Sequence, residues 1–503
     1  MRDVRLGGSE VVSVSVDALL DEIRSDATGP QVAAFFDFDG TLIDGYSASA
    51  LYAHRFRNFE IGPAELLHTI RASLGGALSE HEFERLLSRG ISGWAGRPAE
   101  DISELGERLF AQGIAGTLFH GAWRAVKAHQ RQGHTVVIAT SATRFQVAPL
   151  ARELGIDHVL CTELESEGGL LTGRVLGRTL WGAGKLAAVE AFAESSGIDL
   201  AQAHGYGNGD EDVTFLSAVG NPHPVNPQPE LAGEARRKSW PVVTFRRRPG
   251  RLDPIPAVRT AAMYGTLLGA GAVGIAVGAL TGSRRQGIDT AASLFAHIGG
   301  AVGDVRVDVV GQRHLWSNRP AVFMVNHQSA LIDLLVTTRL LQGGFTAVAK
   351  KEVASVPVFG QLLSLADFAF VDRSDGAQSR VALDQAALRL AAGTSVVISP
   401  EGTRSLTPAV GQLKKGGFHL AMQGGVPIVP IVIRNAGELM WRYSKTARSG
   451  TVEVLVHEPI PTVGWTKRDL DRAVERVHRL YLDTLEDWPA AVAADQHARA
   501  VER

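Results

Sequence analysis

The sequence predicts an α/β protein in two parts, an N-terminal α/β unit and a C-terminal α/β unit joined through one long uncharged segment. Short apolar runs alternate with helix-length amphipathic stretches in both halves, the pattern of buried strands between covering helices. Residues 260–283 carry no charged side chain, and as a helix at ~1.5 Å per residue they reach about 36 Å, enough for a ~30 Å hydrocarbon core. The 503 residues are 45% hydrophobic, sufficient for two or three cores at roughly 150 residues per domain.

Buried strands are expected at residues 32–36, 135–139 and 204–206 in the first part, and at 321–325, 395–399 and 428–433 in the second. Residues 466–487 read as an N-capped amphipathic helix, and the Ala-rich end after Pro489 as a loose tail. The 51 Lys and Arg against 53 Asp and Glu give a net charge of -2, which argues against a nucleic-acid partner held by a global positive field. A single cysteine, Cys161, excludes an internal disulfide, and the 16 histidines show no metal-ligand spacing. Residues 1–31 have no uninterrupted apolar run of the secretory kind, so the protein is expected to stay on the cytoplasmic side.

The uncharged segment follows Arg236, Arg237, Lys238, Arg246, Arg247, Arg248, Arg251 and Arg259 and precedes Arg284 and Arg285, flanks suited to anionic headgroups. Two basic flanks and a second short apolar stretch at 291–302 favour a re-entrant helix or hairpin over a single span. The expected location is the cytoplasmic face of the plasma (inner) membrane, with residues 246–303 meeting membrane lipids. Gly269, Gly271 and Gly274 spell G-x-G-x-x-G, but they lie inside the uncharged run instead of after a short strand, so a dinucleotide site is rejected. Gly274, Gly278 and Gly282 recur every four residues, as at close helix crossings.

Asp37-Phe38-Asp39-Gly40-Thr41 follows the first apolar run, placing two carboxylates at a strand end, where open α/β sheets hold ligands. Acids so close repel without a cation, which makes Mg²⁺ the expected cofactor. Thr140 and Ser141 end a second strand, Lys185 follows, and a third strand leads into Asn208-Gly209-Asp210-Glu211-Asp212. This order resembles the haloacid dehalogenase superfamily of phosphatases over roughly residues 30–230, most closely the phosphoserine-phosphatase-like subgroup with a helical cap. The resemblance implies a Rossmann-like domain in which Asp37 is the nucleophile, Asp39 the general acid and base, and Thr140 and Lys185 hold the phosphoryl group. It also implies Asp37, Asp39, Asn208 and Asp212 around the metal. Asn208 departs from the family, which has Asp there. A neutral ligand weakens metal binding, so both an active phosphatase and a retired binding module stay open, with Asp210 nearby as a substitute charge.

The second part carries Asn326-His327-Gln328-Ser329 with Asp333, then Asp372-Arg373, then Pro400-Glu401-Gly402-Thr403-Arg404, then Lys414-Lys415, then a Val426–Pro430 run. A histidine held by a carboxylate is a general base of fixed tautomer. These blocks, over about residues 300–460, resemble the glycerolipid acyltransferases of the 1-acylglycerol-3-phosphate type. The family has four residues between its His and Asp, whereas Gln328 to Ile332 are five. The resemblance implies that His327 takes the acceptor's proton and Asp333 stabilises the imidazolium. Acyl-CoA or acyl carrier protein would be the donor, and Arg373, Glu401, Gly402, Thr403 and Arg404 would line the acceptor pocket. Lys414 and Lys415 read either as phosphate contacts or as a solvated pair. Lysophospholipid and acyl thioester are then the substrates, and a homo-oligomer stays open. The expected domains are 1–30 (extension), 31–245 (phosphatase-like, cap about 46–120), 246–303 (basic linker and hydrophobic segment), 304–488 (acyltransferase) and 489–503 (tail).

Overall fold

Ala33–Phe36 is four apolar residues with both faces buried, which only the interior of a covered sheet allows. The computed structural model describes residues 13–58, 80–246, 254–355, 359–371, 376–488 and 490–493, and the chain divides into units 1–249 and 250–503. In the first unit, five strands lie in the order His158–Thr162, Thr135–Thr143, Ala33–Phe36, His204–Gly207 and Asn221–Pro224. All pairings are parallel, so the ends of Ala33–Phe36, Thr135–Thr143 and His204–Gly207 meet on one edge. The second of these runs on to Thr143 where the sequence predicts an end at 139, because the chain bulges after Ala139 and pairs again at Thr143 with Thr162.

Residues 13–26, expected as part of an extension, are built into this unit. Ser15 caps the Val16–Ser25 helix, whose Leu19, Leu20 and Ile23 are buried, and Ser13–Val14 pairs with Val242–Val243. Helices Ser47–Arg57, Glu80–Ser92 and Ala99–Gln112 fall within the predicted cap; its residues 59–79 lie outside the described residues.

At the opposite ends of the strands, buried histidines gather that the sequence does not reveal as a group. His134 Nε2 donates to the Ala27 carbonyl at 2.7 Å, so in a neutral chain its Nδ1 accepts from His129 Nδ1 at 2.8 Å and His129 Nε2 accepts from the Tyr206 hydroxyl at 2.8 Å. His204 donates to Asp26 at 2.6 Å and contacts His223 at 3.1 Å. His129, His134 and His204 bring ligand nitrogens within 4.8 Å of one another, contrary to the absence of metal-ligand pairs read from the sequence. Each of those imidazoles already has a hydrogen-bond partner at both nitrogens, and together they tie the Asp26–Ala27 turn to the sheet.

The second unit has seven strands, ordered Val305–Val310, Gly450–Val456, Ile428–Ile433, Val322–Val325, Ser395–Ile398, Phe345–Lys350 and Ala369–Val371. All neighbours are parallel except Ile428–Ile433 with Gly450–Val456. The amphipathic helix near the end begins at Leu470, four residues later than predicted, because Thr466 spends its N–H and hydroxyl on Asp469 in a separate turn. The uncharged segment is the Pro254–Thr281 helix, 28 residues long. The chain turns at Gly282 and returns through Arg284–Leu294, a π-turn at Phe295–Gly299 and Gly300–Gly303. Gly274 and Gly278 do make the close crossing: a Cβ on Gly274 would meet the Gly287 carbonyl at 2.6 Å, and Gly278 backbone lies 3.2 Å from a Cβ on Gly287. Gly282, at φ +65°, forms the turn instead. Arg284 pairs with Asp367, and Arg285, besides pairing with Asp289 on its own helix, donates to the Phe345 carbonyl at 3.3 Å, so both downstream cations fasten the hairpin to its own unit. Arg247, Arg248 and Arg251 lie outside the described residues.

The histidine network sets a pH limit on the fold. Burial holds His129 and His204 below the ordinary imidazole value and pushes His223 down to about 3, with His204 adding to it; His223 also faces Glu22 at 3.7 Å and the Tyr206 ring. Below ~6.5 the unfolded chain takes up protons that the folded one refuses, so this stability is complete above ~6.5 and lost on acidification. Between pH 6.5 and 5, His223 alone accounts for roughly 1–2 kcal/mol. Urea unfolding at the two pH values should show a His223→Gln variant losing less stability than the parent; equal losses would show that this imidazole is not responsible.

Candidate active sites

Asp37 follows Phe36 directly, at the point where the chain's crossovers leave Ala33–Phe36 on opposite sides. Its carboxylate accepts from Lys185 Nζ at 2.8 Å, and the same ammonium reaches Asp212 Oδ1 at 2.5 Å. All three side chains are buried. Burial works against the Lys185 charge, yet Asp212 and Asp37 hold it above its usual value. Asp212 Oδ2 accepts the backbone N–H groups of Asn208 and Gly209, each at 3.0 Å, so this predicted metal ligand also shapes the loop that presents Asn208. Asn208 Oδ1 accepts from the Thr41 hydroxyl at 3.4 Å. Its amide packs where a side chain on residue 40 would stand: a Cβ on Gly40 would lie 2.2 Å from Asn208 Nδ2, and Gly40 also has φ +79°. Asp210 is directed at the Pro229–Lys238 helix, where its Oδ1 accepts from Leu231 N at 2.9 Å, and its charge acts on Glu211.

Asp39 is aimed by Ser47, whose N–H and hydroxyl donate to its two oxygens at 2.7 and 3.1 Å. Gln146 donates in turn to the Ser47 hydroxyl at 2.9 Å. Neither Ser47 nor Gln146 has a sequence signal, since the three meet only through the fold. Burial pushes Asp39 up to about 6. Thr140 sits at the bulge next to the end of Ala33–Phe36, its hydroxyl accepting from Ala142 N at 3.1 Å. Burial also raises Asp37, against the pull of Lys185 and helped by Asp212, and raises Glu211, again helped by Asp212. Four carboxyl groups thus crowd one ammonium. Asp37, Asp39 and Asn208 offer only oxygen donors, a set that fits a hard divalent cation such as Mg²⁺.

In the second unit, the central strand Val322–Val325 ends at Asn326 and its parallel neighbour Ser395–Ile398 leads into Pro400 and Glu401. Adjacent parallel ends bring the two predicted blocks together. Asn326 is zipped to Ile433, donating to its carbonyl at 2.8 Å and accepting its N–H at 2.7 Å. His327 Nδ1 lies 2.7 Å from Asp333 Oδ2, so the longer five-residue spacing closes the pair. It does so because Ser329 caps the Ala330–Leu341 helix and the same oxygen accepts the N–H groups of Gln328 and Ser329 at 3.0 and 2.9 Å. Asp333 is buried, while the His327 side chain is 26% exposed, leaving its other nitrogen open to a ligand.

Glu401 is a strut. Its Oε1 accepts His327 N–H at 2.7 Å, and Oε2 accepts the Ser405 hydroxyl at 2.6 Å and Gly411 N–H at 2.9 Å. Gly402 lies under Lys414, whose Cδ would stand 3.0 Å from an added Cβ. Thr403 is exposed and Arg404 half-buried. Lys415 pairs with Asp471 at the surface, which is the solvated reading of that residue. Asp372 and Arg373 lie outside the described residues.

Comparison with known proteins follows this division. Residues 34–217 match the haloacid dehalogenase-like hydrolase family and residues 306–434 the acyltransferase family. A phosphoserine phosphatase of Mycobacterium tuberculosis is 31% identical over 50% of this chain and 81% of its own length. An uncharacterized acyltransferase of Schizosaccharomyces pombe is 34% identical over 40% of this chain and 73% of its own. The human 1-acyl-sn-glycerol-3-phosphate acyltransferase alpha is 33% identical over 43% and 77%. The chain therefore belongs to two families at once, the haloacid dehalogenase-like hydrolases through its N-terminal unit and the glycerolipid acyltransferases through its C-terminal unit.

Proposed function

We propose that the chain is a membrane-associated 1-acylglycerol-3-phosphate O-acyltransferase, converting an acyl thioester and lysophosphatidate to phosphatidate, fused to a Mg²⁺-dependent phosphomonoester phosphatase. The observation that carries the first activity is the 2.7 Å His327–Asp333 pair at the end of a buried strand. Asp333 accepts the Nδ1 proton, so Nε2 carries the lone pair. Nε2 takes the acceptor hydroxyl's proton as that oxygen attacks the thioester carbonyl, and Asp333 stabilises the imidazolium. Collapse of the tetrahedral adduct breaks the C–S bond, and the thiolate recovers the proton from Nε2. Arg404 and Arg373 are assigned to the acceptor phosphate; the donor is acyl-CoA or acyl carrier protein.

The hairpin supports a membrane site. Only Thr260, Met263, Ala270 and Gly274 of the Pro254–Thr281 helix are buried, while Ile255, Val258, Leu268, Val273, Ile275 and Leu280 are exposed. A helix that turns back suits an interfacial or re-entrant placement at the cytoplasmic face of the inner membrane better than one crossing.

In the first unit, bound Mg²⁺ would be held by Asp37, Asp39 and Asn208 and would offset phosphoryl charge near the carboxylates. Asp37 attacks phosphorus and forms an aspartyl-phosphate while Asp39 protonates the leaving alkoxide; Asp39 then deprotonates a water that attacks the same phosphorus, breaking the aspartyl O–P bond to release phosphate and restore the Asp37 carboxylate. Two of the three Lys185 protons are taken by Asp37 and Asp212, and the third, with Thr140, holds the phosphoryl oxygens. Asn208 favours a second reading, an acyltransferase for a different lysophospholipid with a weak or retired phosphatase module.

His327→Ala should reduce lysophosphatidate-dependent release of free thiol from acyl-CoA about a thousandfold, and Asp333→Asn about a hundredfold. Undiminished release in His327→Ala would end the acyltransferase assignment. For the other unit, Mg²⁺-dependent phosphate release from phosphoserine, lysophosphatidate and phosphatidate is expected, and Asp37→Asn should abolish it. Asn208→Asp should lower the Mg²⁺ concentration needed for half-maximal rate. Turnover that appears only in Asn208→Asp would establish the retired-module reading.

A further inference from the structure

The loop around Arg442 is held against the Arg404 segment by three donors. Trp441 Nε1 donates to the Leu406 carbonyl at 2.8 Å, Arg404 Nη1 to the Arg442 carbonyl at 2.8 Å, and Arg442 Nη1 to the Arg404 carbonyl. Arg442 also lies over the Tyr443 ring, 4.9 Å from its centroid. Two half-buried guanidinium groups are thereby fixed side by side, and among the described residues neither pairs with a carboxylate. Arg442 Nε is buried without a hydrogen-bond partner. Burial and the Arg442 charge both push Arg404 below its usual value, against the pull of the Asp333 carboxylate.

The position of this pair is informative. Ser405, next to Arg404, donates its N–H to the His327 carbonyl at 2.9 Å, and its hydroxyl to Glu401, which itself holds His327 N–H. The Arg404 segment is therefore strapped to the residue assigned as general base. Arg442 carries no motif and sits 38 residues from Arg404.

We propose that Arg442, together with Arg404, forms the seat for the phosphomonoester group of the acyl acceptor. The proposal rests on the acyl-transfer reading above. A phosphomonoester carries up to two negative charges and three acceptor oxygens, which two adjacent guanidinium forks match. Phosphate groups also occur on a coenzyme A donor. Attachment to the backbone that carries His327 favours the acceptor, because the acceptor hydroxyl must reach that imidazole.

The test uses the full chain with Arg442→Gln and Arg442→Lys. KM for lysophosphatidate should rise about tenfold or more in Arg442→Gln and less in Arg442→Lys, with kcat and KM for acyl-CoA near the parent values. Transfer to monoacylglycerol, which lacks the phosphate, should be unchanged relative to the parent. A rise in KM for acyl-CoA instead would place a donor phosphate there and overturn the proposal. So would equal losses with phosphorylated and unphosphorylated acceptors, which mark a merely structural residue. Equilibrium binding of glycerol 3-phosphate separates this idea from the acyl-transfer reading: it should weaken about tenfold in Arg442→Gln whether or not the chain turns over, and unchanged binding would overturn the seat itself.

Discussion

A strand buried on both faces has no side position from which a polar group can reach solvent, so its chemistry is confined to its ends. Both units obey this constraint. Asp37 and Asn326-His327 each follow the last residue of a central, fully buried strand, and each meets residues delivered by adjacent parallel strands. Parallel pairing requires a crossover between neighbours, so the partners at the shared edge come from distant sequence. Lys185, carried by the Ala183–Ser196 helix, arrives 148 residues after Asp37, and Glu401, beyond the neighbouring strand, holds His327 across 74. The apolar sheets therefore matter to catalysis chiefly as a way of setting distant loops at fixed spacing.

The loops are rigid because their acids are spent on backbone N–H groups. A single oxygen of Asp333 accepts from the imidazole and two amides; Asp212 and Glu401 each hold two backbone N–H groups, Asp212 with one oxygen and Glu401 with one on each. A carboxylate that accepts several N–H bonds is held in one place, so it needs little reorganisation during a reaction. This explains how the longer His-to-Asp interval closes: the turn, the helix cap at Ser329 and the imidazole share one acceptor, and the extra residue is absorbed within the helix start.

The fold class and the chemical residues near strand ends were legible because they leave local marks. An apolar run followed by Asp-x-Asp-Gly-Thr, or by Asn-His-x-Ser, combines a buried strand with a polar end in fewer than ten residues. Roles set by pairing were not legible. Asp212 and Glu401 carry the residue type of a ligand or pocket acid, but the backbone N–H groups they hold are supplied only by the folded chain. Asp210 looks like a spare charge, and its carboxylate is directed at a helix 21 residues away. The histidine network and Arg442 have no spacing at all, since their members come from separate elements. The predicted start of the last helix failed for a local reason, competition of Asp469 for Thr466.

Charge distribution separates the two centres. The first gathers four carboxyl groups around one ammonium, an excess of negative charge into which a phosphate dianion moves only beside a cation. The second spends its acids on backbone N–H groups and fixes two guanidinium groups, neither in a salt bridge among the described residues, on a segment strapped to His327. Under the proposed function the same phosphomonoester would meet opposite fields in the two units: one would require a cation before admitting the group to attack on its phosphorus, and the other would attract it directly and leave it intact while a neighbouring hydroxyl reacts. Asn208 moderates the first field by one charge without changing its sign, so the argument for a cation there survives the substitution even though its affinity falls.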